Sequence, residues 1–356
     1  MNQNRIILLL TLFVAGLSSC KKDKDDTAAP KVTNGLYILS EGLYGNNNSM
    51  LTYYNTSTGT ATTDFYAKAN GGSGIGDTGN DILLYGSKMY IVVNVSSVLT
   101  IADARTGERI KNIPLKDANG KGRQPRYVTS YKNKILVSTW DGFVSVIDTT
   151  SLAIEKDIAV GSNPEQMVVV GDKLYVANSG GNGAVQDSTV SVVSLSFMTE
   201  VKKITVSINP NSLTADDSGN LYVVCQKNFS GTAKNRLVKI NTYTNTVVKV
   251  ADTAVGRIKY YNGALYATGG YYGSAYIRKL STTDFSQESA NFVTDGTFMT
   301  EPYGINVDPE NGDVYVTDAK DYLTSGEVFC FDNTGKKKFS INVSPALNPN
   351  TVVFIK

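Results

Sequence analysis

One pattern of four short strand-like segments recurs along this chain, and that recurrence limits the folds available to it. A clear copy begins at Asn163-Pro164, continues through the apolar residues 167–170, and ends with segments 174–178, 190–195 and 203–206. The pattern restarts at Asn209-Pro210. Units of roughly 40–50 residues that each hold four strands are the signature of β-propeller blades.

The residue at the centre of the second segment marks each copy of the pattern. It falls at seven places, most of them tyrosine: Tyr37, Tyr90, Leu136, Tyr175, Tyr222, Tyr266 and Tyr315. The turns before these positions are rich in Gly and Asn, which tolerate the positive φ of hairpin turns. No part of the chain after its N-terminal segment shows a sustained helical period. The sequence therefore predicts an all-β, seven-bladed propeller over residues 34–356.

The two ends of the repeat array predict how the ring closes. The first copy begins at Leu36 and lacks the innermost strand that the other copies have. Residues 348–354, which begin Asn-Pro-Asn, repeat the start of the inner strands at Asn163 and Asn209. We expect this C-terminal strand to complete blade one, because closure removes the open sheet edges.

Composition excludes several kinds of chemistry. The chain has no histidine and a formal charge of +2, which excludes Ser–His and Cys–His nucleophile pairs and imidazole metal sites, and gives no basic footprint for nucleic acid. Its Asp-rich and Gly-rich stretches lack the full spacing of calcium or phosphate loops. We predict no catalytic residue, no metal site and no cofactor. Cys225 and Cys330 fall in different repeats and are predicted to be buried free thiols.

The N-terminal segment predicts where the protein is located. Residues 1–19 read as a signal peptide, with Arg5 before an apolar core at 6–17 that is too short to span a membrane as a mature helix. The end of this segment, Leu17-Ser18-Ser19-Cys20, resembles a bacterial lipobox, which implies acylation of Cys20. Residues 20–33 read as a flexible charged tether. An ordinary signal peptide with an incidental cysteine is the alternative.

The repeat and the lipobox together carry a family resemblance. The Asn-Pro start, the Leu-Tyr-Val-Ala-Asn strand at 174–178 and the Val-Ser-Val-Val strand at 190–193 resemble YncE-type and surface-layer-type seven-bladed propellers. The Lys/Asp-rich tether also resembles the surface-export signal of Bacteroides-like lipoproteins, although a plain linker facing the periplasm remains open. With lipidation added, the chain is similar to the BtuG-type lipoproteins of gut bacteria.

This resemblance implies a function. It implies a non-enzymatic lipoprotein of the outer membrane, facing the cell exterior, that binds cobalamin (vitamin B12) or a related corrinoid and delivers it to a TonB-dependent transporter. Two alternatives stay open. A protein–protein scaffold would present a flat apolar patch, and a propeller enzyme of lactonase or lyase type would hold a metal in the central channel.

Candidate ligand-binding residues lie in the loops between second and third strands and in the turns between blades. These loops are rich in aromatic and amide side chains, which suit a large ligand with many hydrogen-bonding groups. The predicted site residues are Tyr44, Asn46, Asn94, Trp140, Asn178, Gln186, Asn228, Phe229, Tyr271, Tyr272, Tyr303 and Tyr322. The turns between blades add further residues to the same end of the predicted ring: Gly79, Asn80, Asp81, Arg126, Tyr127, Asn163, Pro164, Glu165, Arg257, Glu301 and Pro302.

The first prediction concerns the anchor at Cys20. The Cys20→Ala variant has no thiol to acylate, so it should appear as unprocessed or released protein, whereas the native chain should fractionate with the outer membrane. Protease added to intact cells should degrade the native protein, because we expect it to face outward. Protection of the native protein on intact cells, with cleavage after lysis, would contradict surface exposure.

Overall fold

The computed structural model describes residues 33–183, 185–227, 235–269 and 275–356. These residues form 27 β-strands and one five-residue helix, α1 (Phe65–Ala69). None of the described helical segments has the length and apolar character needed to cross a membrane. The predicted signal peptide, Cys20 and the tether up to residue 32 lie outside the described residues.

The strands are short and follow one another in regular hairpins. In chain order they are β1 (Gly35–Ser40), β2 (Met50–Asn55), β3 (Thr60–Thr62), β4 (Gly79–Tyr85), β5 (Lys88–Val93), β6 (Val98–Asp103), β7 (Arg109–Pro114), β8 (Pro125–Tyr131), β9 (Lys134–Thr139), β10 (Phe143–Asp148), β11 (Ile154–Ala159), β12 (Pro164–Val170), β13 (Lys173–Asn178), β14 (Thr189–Ser194), β15 (Thr199–Thr205), β16 (Pro210–Ala215), β17 (Asn220–Cys225), β18 (Arg236–Asn241), β19 (Thr246–Asp252), β20 (Ile258–Tyr261), β21 (Ala264–Gly269), β22 (Tyr276–Ser281), β23 (Pro302–Val307), β24 (Val314–Asp318), β25 (Glu327–Phe331), β26 (Lys337–Asn342) and β27 (Pro349–Ile355).

These strands form seven antiparallel sheets, which confirms the predicted propeller. From the inside outward, the blades are β27-β1-β2-β3, β4 to β7, β8 to β11, β12 to β15, β16 to β19, β20 to β22, and β23 to β26. The inner strands contact one another in a closed circle, in the order β27, β4, β8, β12, β16, β20, β23 and back to β27.

The C-terminal strand closes the ring as the sequence predicts. Strand β27 pairs antiparallel with β1, with Leu36 opposite Phe354 and Ile38 opposite Val352. The other side of β27 is held by blade seven, because the Val352 amide donates to Asn306 Oδ1 at 3.1 Å. Thr33 precedes β1, is buried, and donates to Asp308 Oδ2 at 2.6 Å. Both ends of the propeller are therefore fastened to blade seven.

The hydrophobic core lies between neighbouring blades rather than at the centre of the ring. All seven second-strand residues that count the repeats are buried, from Tyr37 to Tyr315. They pack against the facing sheet, as Tyr175 of blade four does in a cluster with Leu221 and Val223 of blade five. Because successive side chains of a strand point to opposite faces, each blade supplies apolar groups to two such layers.

Three of the repeat tyrosines link one blade to the next through their hydroxyls. Tyr37 donates to the Ala104 carbonyl of blade two at 2.6 Å, and Tyr175 donates to the Thr242 carbonyl of blade five at 3.1 Å. Tyr222 reaches the Thr282 carbonyl of blade six at 3.3 Å. Tyrosine therefore suits the repeat because its ring fills the layer between blades while its hydroxyl satisfies a turn of the neighbour.

Blade six departs from the four-stranded plan. Within the described residues it has three strands, and the chain after β22 forms only an isolated bridge between Leu280 and Gln287. The Phe292 amide then donates to the Ile277 carbonyl at 2.6 Å. The ring of Phe292 packs edge-on against Tyr266 and Phe331. This segment therefore joins blades six and seven through aromatic packing rather than through a regular fourth strand.

Cys225 and Cys330 are both buried and free, as predicted. Burial raises the pKa of each thiol to about 12. Both groups therefore stay protonated near neutral pH, and thiols in that state are poor nucleophiles.

The second prediction concerns ring closure. Truncation before Asn348 removes β27, leaves β1 with an unpaired edge, and takes away the buried side chain of Val352. We expect a large drop in the melting temperature or aggregation, measured by circular dichroism and light scattering. Removal of Lys356 alone is the matched control, because it loses only an exposed ion pair with Glu310. An unchanged melting temperature after the long truncation would contradict the role of β27.

Candidate functional site

One end of the ring carries the loops that follow the second strand of each blade and the connections between blades. We call this end the loop face. In each blade the inner strand starts here, so side chains from seven repeats converge around the axis. Any ligand that approaches the axis from this side meets those side chains first.

Seven equivalent positions form what we call the channel ring. Each lies one residue before the same inner-strand pairing, for example before Ile82↔Ile91 and Leu213↔Val223. The channel ring consists of Asp81, Tyr127, Gln166, Ser212, Arg257, Gly304 and Thr351. Together with Ile258, Lys259, Ile305, Asn306 and Asn350, six of these residues line an axial cavity of about 30 Å³. A cavity of this size holds about two water-sized particles.

Several channel-ring side chains hold the next blade in place. Asp81 Oδ2 accepts the amide of Val128 at 3.0 Å, and Gln166 Oε1 accepts the amide of Leu213 at 3.0 Å. Ser212 Oγ accepts the amide of Ile258 at 3.3 Å. The amides of the inner-strand edges would otherwise face the axis without a partner, so these bonds satisfy backbone groups and fix the blade spacing.

Arg257 crosses the axis. Its guanidinium donates to the hydroxyl of Tyr127, which belongs to blade three, on the far side of the ring. The guanidinium also lies 5.9 Å from the centre of the Tyr127 ring and 5.7 Å from that of Tyr303. The neighbouring Tyr127 phenol raises the pKa of Arg257, so the guanidinium remains charged. This contact links blade six to blade three across the ring.

A group that we call the mouth cluster lies beside this crossing and consists of Asn80, Arg126, Trp140 and Glu165. The Trp140 indole donates from Nε1 to Glu165 Oε1 at 2.9 Å, and Arg126 Nε donates to Glu165 Oε2 at 2.9 Å. The Arg126 guanidinium stacks 4.8 Å from the Trp140 ring centre and also donates to Asn80 Oδ1 at 2.6 Å. Glu165 is buried, so these charge-assisted bonds are protected from water. Trp140 is therefore held in one orientation.

A second polar group lies on the blade one and blade seven side of the mouth. Tyr303 donates to Glu41 Oε2 at 2.9 Å, and Asn350 Nδ2 donates to Glu41 Oε1 at 2.9 Å. Tyr322 packs edge-on against Tyr303, with ring centres 5.7 Å apart. Both oxygens of Glu41 thus have donors, as both oxygens of Glu165 do, so neither carboxylate is presented as an unpaired base.

Five of the predicted site residues lie on the loop face. Tyr44 is 79% exposed in the loop between β1 and β2, and Asn46 is exposed beside it. Trp140, Tyr303 and Tyr322 are partly buried around the mouth of the channel. Four further residues lie outside the described residues: Asn228, Phe229, Tyr271 and Tyr272.

The other three predicted site residues are not open on the loop face. Asn94 is buried and donates to the Pro125 carbonyl at 3.0 Å. Asn178 is also buried, and its amide bonds to Ser191, Thr189 and the Gly161 amide. The amide atoms of Gln186 are buried and have no hydrogen-bond partner within the described ranges. Asn94 and Asn178 therefore organise loops and do not offer their amides to a ligand.

The charged residues of the site were not among the predicted ligand-binding residues. They are Glu41, Asp81, Arg126, Glu165, Arg257 and Lys259. All except Glu41 lie at or next to the start of an inner strand, directly after a turn between blades, where other blades have uncharged residues such as Ser212 and Tyr303. A charge at that position was the available signal, but its partners come from other blades and cannot be read from the spacing.

Comparisons with solved structures show the same fold in several proteins. A quinonprotein alcohol dehydrogenase-like protein from Bacteroides thetaiotaomicron is 16% identical, with a TM-score of 0.67 over 90% of this chain and 78% of that chain. A protein described as a candidate 6-phosphogluconolactonase from Bacteroides uniformis is 17% identical, with a TM-score of 0.64 over 90% and 100%. A protein from Lactobacillus plantarum is 15% identical, with a TM-score of 0.65 over 91% and 100%. At these identities the likeness shows the fold alone.

The amino-acid sequence matches the model of one protein family. The family described as "Domain of unknown function (DUF5074)" matches residues 34–355, which is the whole propeller. No curated protein matches the chain.

The third prediction concerns Asp81, whose burial raises its pKa from 3.8 to about 6. The folded state therefore binds this proton more tightly than the unfolded chain, so the free energy of unfolding should fall as the pH rises from 4 through 6. Asp81→Asn keeps an oxygen for the Val128 amide but carries no charge. We expect the variant to be more stable than the native protein at pH 7.5, with a smaller difference at pH 4.5, in urea unfolding.

For the matched control, Asp284, the contribution to stability should change with pH in the opposite direction. Asp284 is exposed, and its bonds to the Ser286 hydroxyl and amide lower its pKa to about 2. Its contribution to stability is therefore present at neutral pH and is lost in acid. Asp284→Asn should be less stable than the native protein at pH 7.5. A stabilising effect of Asp81→Asn that did not depend on pH would contradict the role of its charge.

Proposed function

The chain belongs to the DUF5074 family, and we propose that this member is a ligand-capture protein that binds cobalamin or a related corrinoid on the loop face. We further propose that lipid at Cys20 anchors it to the outer membrane, facing the cell exterior. In this proposal the bound corrinoid passes to a TonB-dependent transporter, and the propeller catalyses no reaction.

The observation that carries the binding role is the fixed position of Trp140. Its indole nitrogen is bonded to Glu165, and one region of its ring is covered by the Arg126 guanidinium. The side chain remains partly exposed at the mouth. A contact surface that is ordered before the ligand arrives costs little conformational entropy on binding, which is the usual advantage of a rigid aromatic anchor.

The size of the cavity supports a large ligand that lies across the face. Pockets that enclose drug-sized ligands have volumes of roughly 300–1,000 Å³, whereas the axial cavity offers about 30 Å³. A corrinoid therefore cannot enter the channel and has to rest on the rim. Its many peripheral amides would meet the hydrogen-bonding groups at the mouth, and Tyr44 and Asn46 would lie at the edge of the same surface.

The polar groups at the mouth support binding rather than catalysis. Glu41 and Glu165 each have donors on both oxygens, and the two cysteine thiols are buried and protonated. General acid–base catalysis needs a group that can exchange a proton with the substrate. The proposal therefore assigns these carboxylates a positioning role for Trp140 and Tyr303.

A protein–protein scaffold is the second candidate, and one observation favours it. The loop face carries exposed apolar side chains on three separate loops, namely Tyr44, Phe298 and Leu323, with the last two each 70% exposed. Exposed apolar groups of this kind often mark contacts with another protein. Within the first proposal, the same side chains would contact the transporter.

The fourth prediction tests the ligand. Titration of the purified protein with cyanocobalamin in a calorimeter should give micromolar or tighter binding. Trp140→Ala should weaken binding by roughly 30-fold, which corresponds to about 2 kcal/mol for a central aromatic anchor. Tyr243→Ala is the matched control, because Tyr243 is 92% exposed in the turn between β18 and β19, at the opposite end of the blade.

The outcomes separate the two candidates. Binding that is weakened by Trp140→Ala and unchanged by Tyr243→Ala supports corrinoid capture at the mouth. No heat and no change in the cobalamin absorption spectrum at high protein concentration would contradict it. In that case, co-purification of a partner that is lost with Phe298→Ser and Leu323→Ser would support the scaffold.

A further inference from the structure

The sector of the axial cavity between blades six and seven lacks a side-chain-to-amide bond that three other blades make. In blades two, four and five the channel-ring side chain accepts an inner-strand amide of the next blade. In blade six the equivalent side chain is Arg257, and a guanidinium has only donors. The amide equivalent to those of Leu213 and Ile258 belongs to Ile305, and no side-chain acceptor within the described residues reaches it.

The same substitution of a donor for an acceptor occurs two residues further along the strand. In blade five, Thr214 Oγ1 accepts the amide of Tyr260 at 3.2 Å. Two residues after Arg257, blade six has Lys259, which lines the axial cavity. In the part of the chain that the structure describes, its ammonium forms neither a hydrogen bond nor an ion pair within 4 Å. Lys259 is partly buried, and its burial lowers the pKa of the ammonium.

The charged groups of the lining do not balance, although Asn350 Oδ1 is a buried acceptor with no partner within the described residues. Asn306 also lines the cavity, and its oxygen is taken by the Val352 amide, so its NH₂ group is what remains for a ligand. Asp81 is the one carboxylate among the lining residues, and one of its oxygens accepts the amide of Val128. With Arg257 and Lys259 charged, the lining carries a net positive charge. A partly buried charge of this kind is stabilised when a counter-charge or hydrogen-bond acceptor meets it.

We propose that the axial cavity binds a monatomic anion, with chloride as the natural occupant, between the Lys259 ammonium and the Ile305 amide and beside the Arg257 guanidinium. The ion supplies to blade seven the acceptor that Ser212 supplies to blade six. The cavity of about 30 Å³ has room for about two water-sized particles, which is enough for one chloride ion. The bound ion would fasten blade seven to blade six, whose described residues form only three strands.

Crystals of the purified protein grown in sodium bromide provide the first test, because bromide replaces chloride and is located by its anomalous scattering. We expect one strong anomalous peak inside the cavity, next to Lys259 Nζ. Lys259→Met should abolish this peak, and Lys259→Arg, which keeps the charge, should retain it. An empty or water-filled cavity in the native protein, with bromide only on the outer surface, would overturn the proposal.

Solution stability gives an independent test that does not rely on crystals. Urea unfolding is measured with sodium chloride replacing sodium gluconate at constant ionic strength, because gluconate is too large for the cavity. The unfolding midpoint of the native protein should rise with chloride, since the ion binds only the folded state. The midpoint of Lys259→Met should not respond, and that of Lys259→Arg should.

A third variant changes the response in the opposite direction. Asp81→Asn removes the carboxylate from the lining, so the midpoint should rise at lower chloride concentrations than in the native protein. Equal chloride responses in the native protein, Lys259→Met and Asp81→Asn would show a general salt effect and would overturn the site. None of these measurements involves cobalamin, so they stand or fall separately from the proposed function.

Discussion

Pairing between β27 and β1 is the interaction on which the rest of this structure depends. Each blade is a small sheet that can bury its apolar faces only against two neighbours, so an open array would expose one face at each end. The last seven-residue strand joins the first blade and lies between β23 and β4. Closure thereby sets the ring diameter, and the ring diameter sets which side chains can meet across the axis.

A closed and rigid ring confines the available chemistry to its loop face. Near the axis the polar groups mostly satisfy one another, as the Glu165 carboxylate does with Trp140 and Arg126. Such a network leaves little room inside and presents a preorganised surface outside. A ligand that binds here has to be large enough to contact several loops, which is the physical basis for proposing a corrinoid rather than a small substrate.

Because the blades repeat one pattern, a blade with a different kind of residue at an equivalent position is informative. At equivalent positions, blades two, four and five place the acceptors Asp81, Gln166 and Ser212, and blade six places Arg257. In blade six, two donors, Arg257 and Lys259, stand where blade five has acceptors. An amide and two cations therefore face a small cavity, and the proposed anion site rests on that imbalance. The same reasoning applies to any repeat protein in which a hydrogen-bond donor replaces an acceptor at one of several equivalent positions.

The sequence by itself determined the all-β class, the number of blades, the closing strand and the buried cysteines. These features depend on local alternation and turn chemistry, which recur in every repeat and are visible without the fold. It did not determine which loop residues are exposed: Tyr44 is open, whereas Asn94 and Asn178, in equivalent loops, are buried by contacts to neighbouring strands. Only the tertiary structure brought Arg257 to Tyr127, 130 residues away in the chain, because that contact crosses the ring and depends on its diameter.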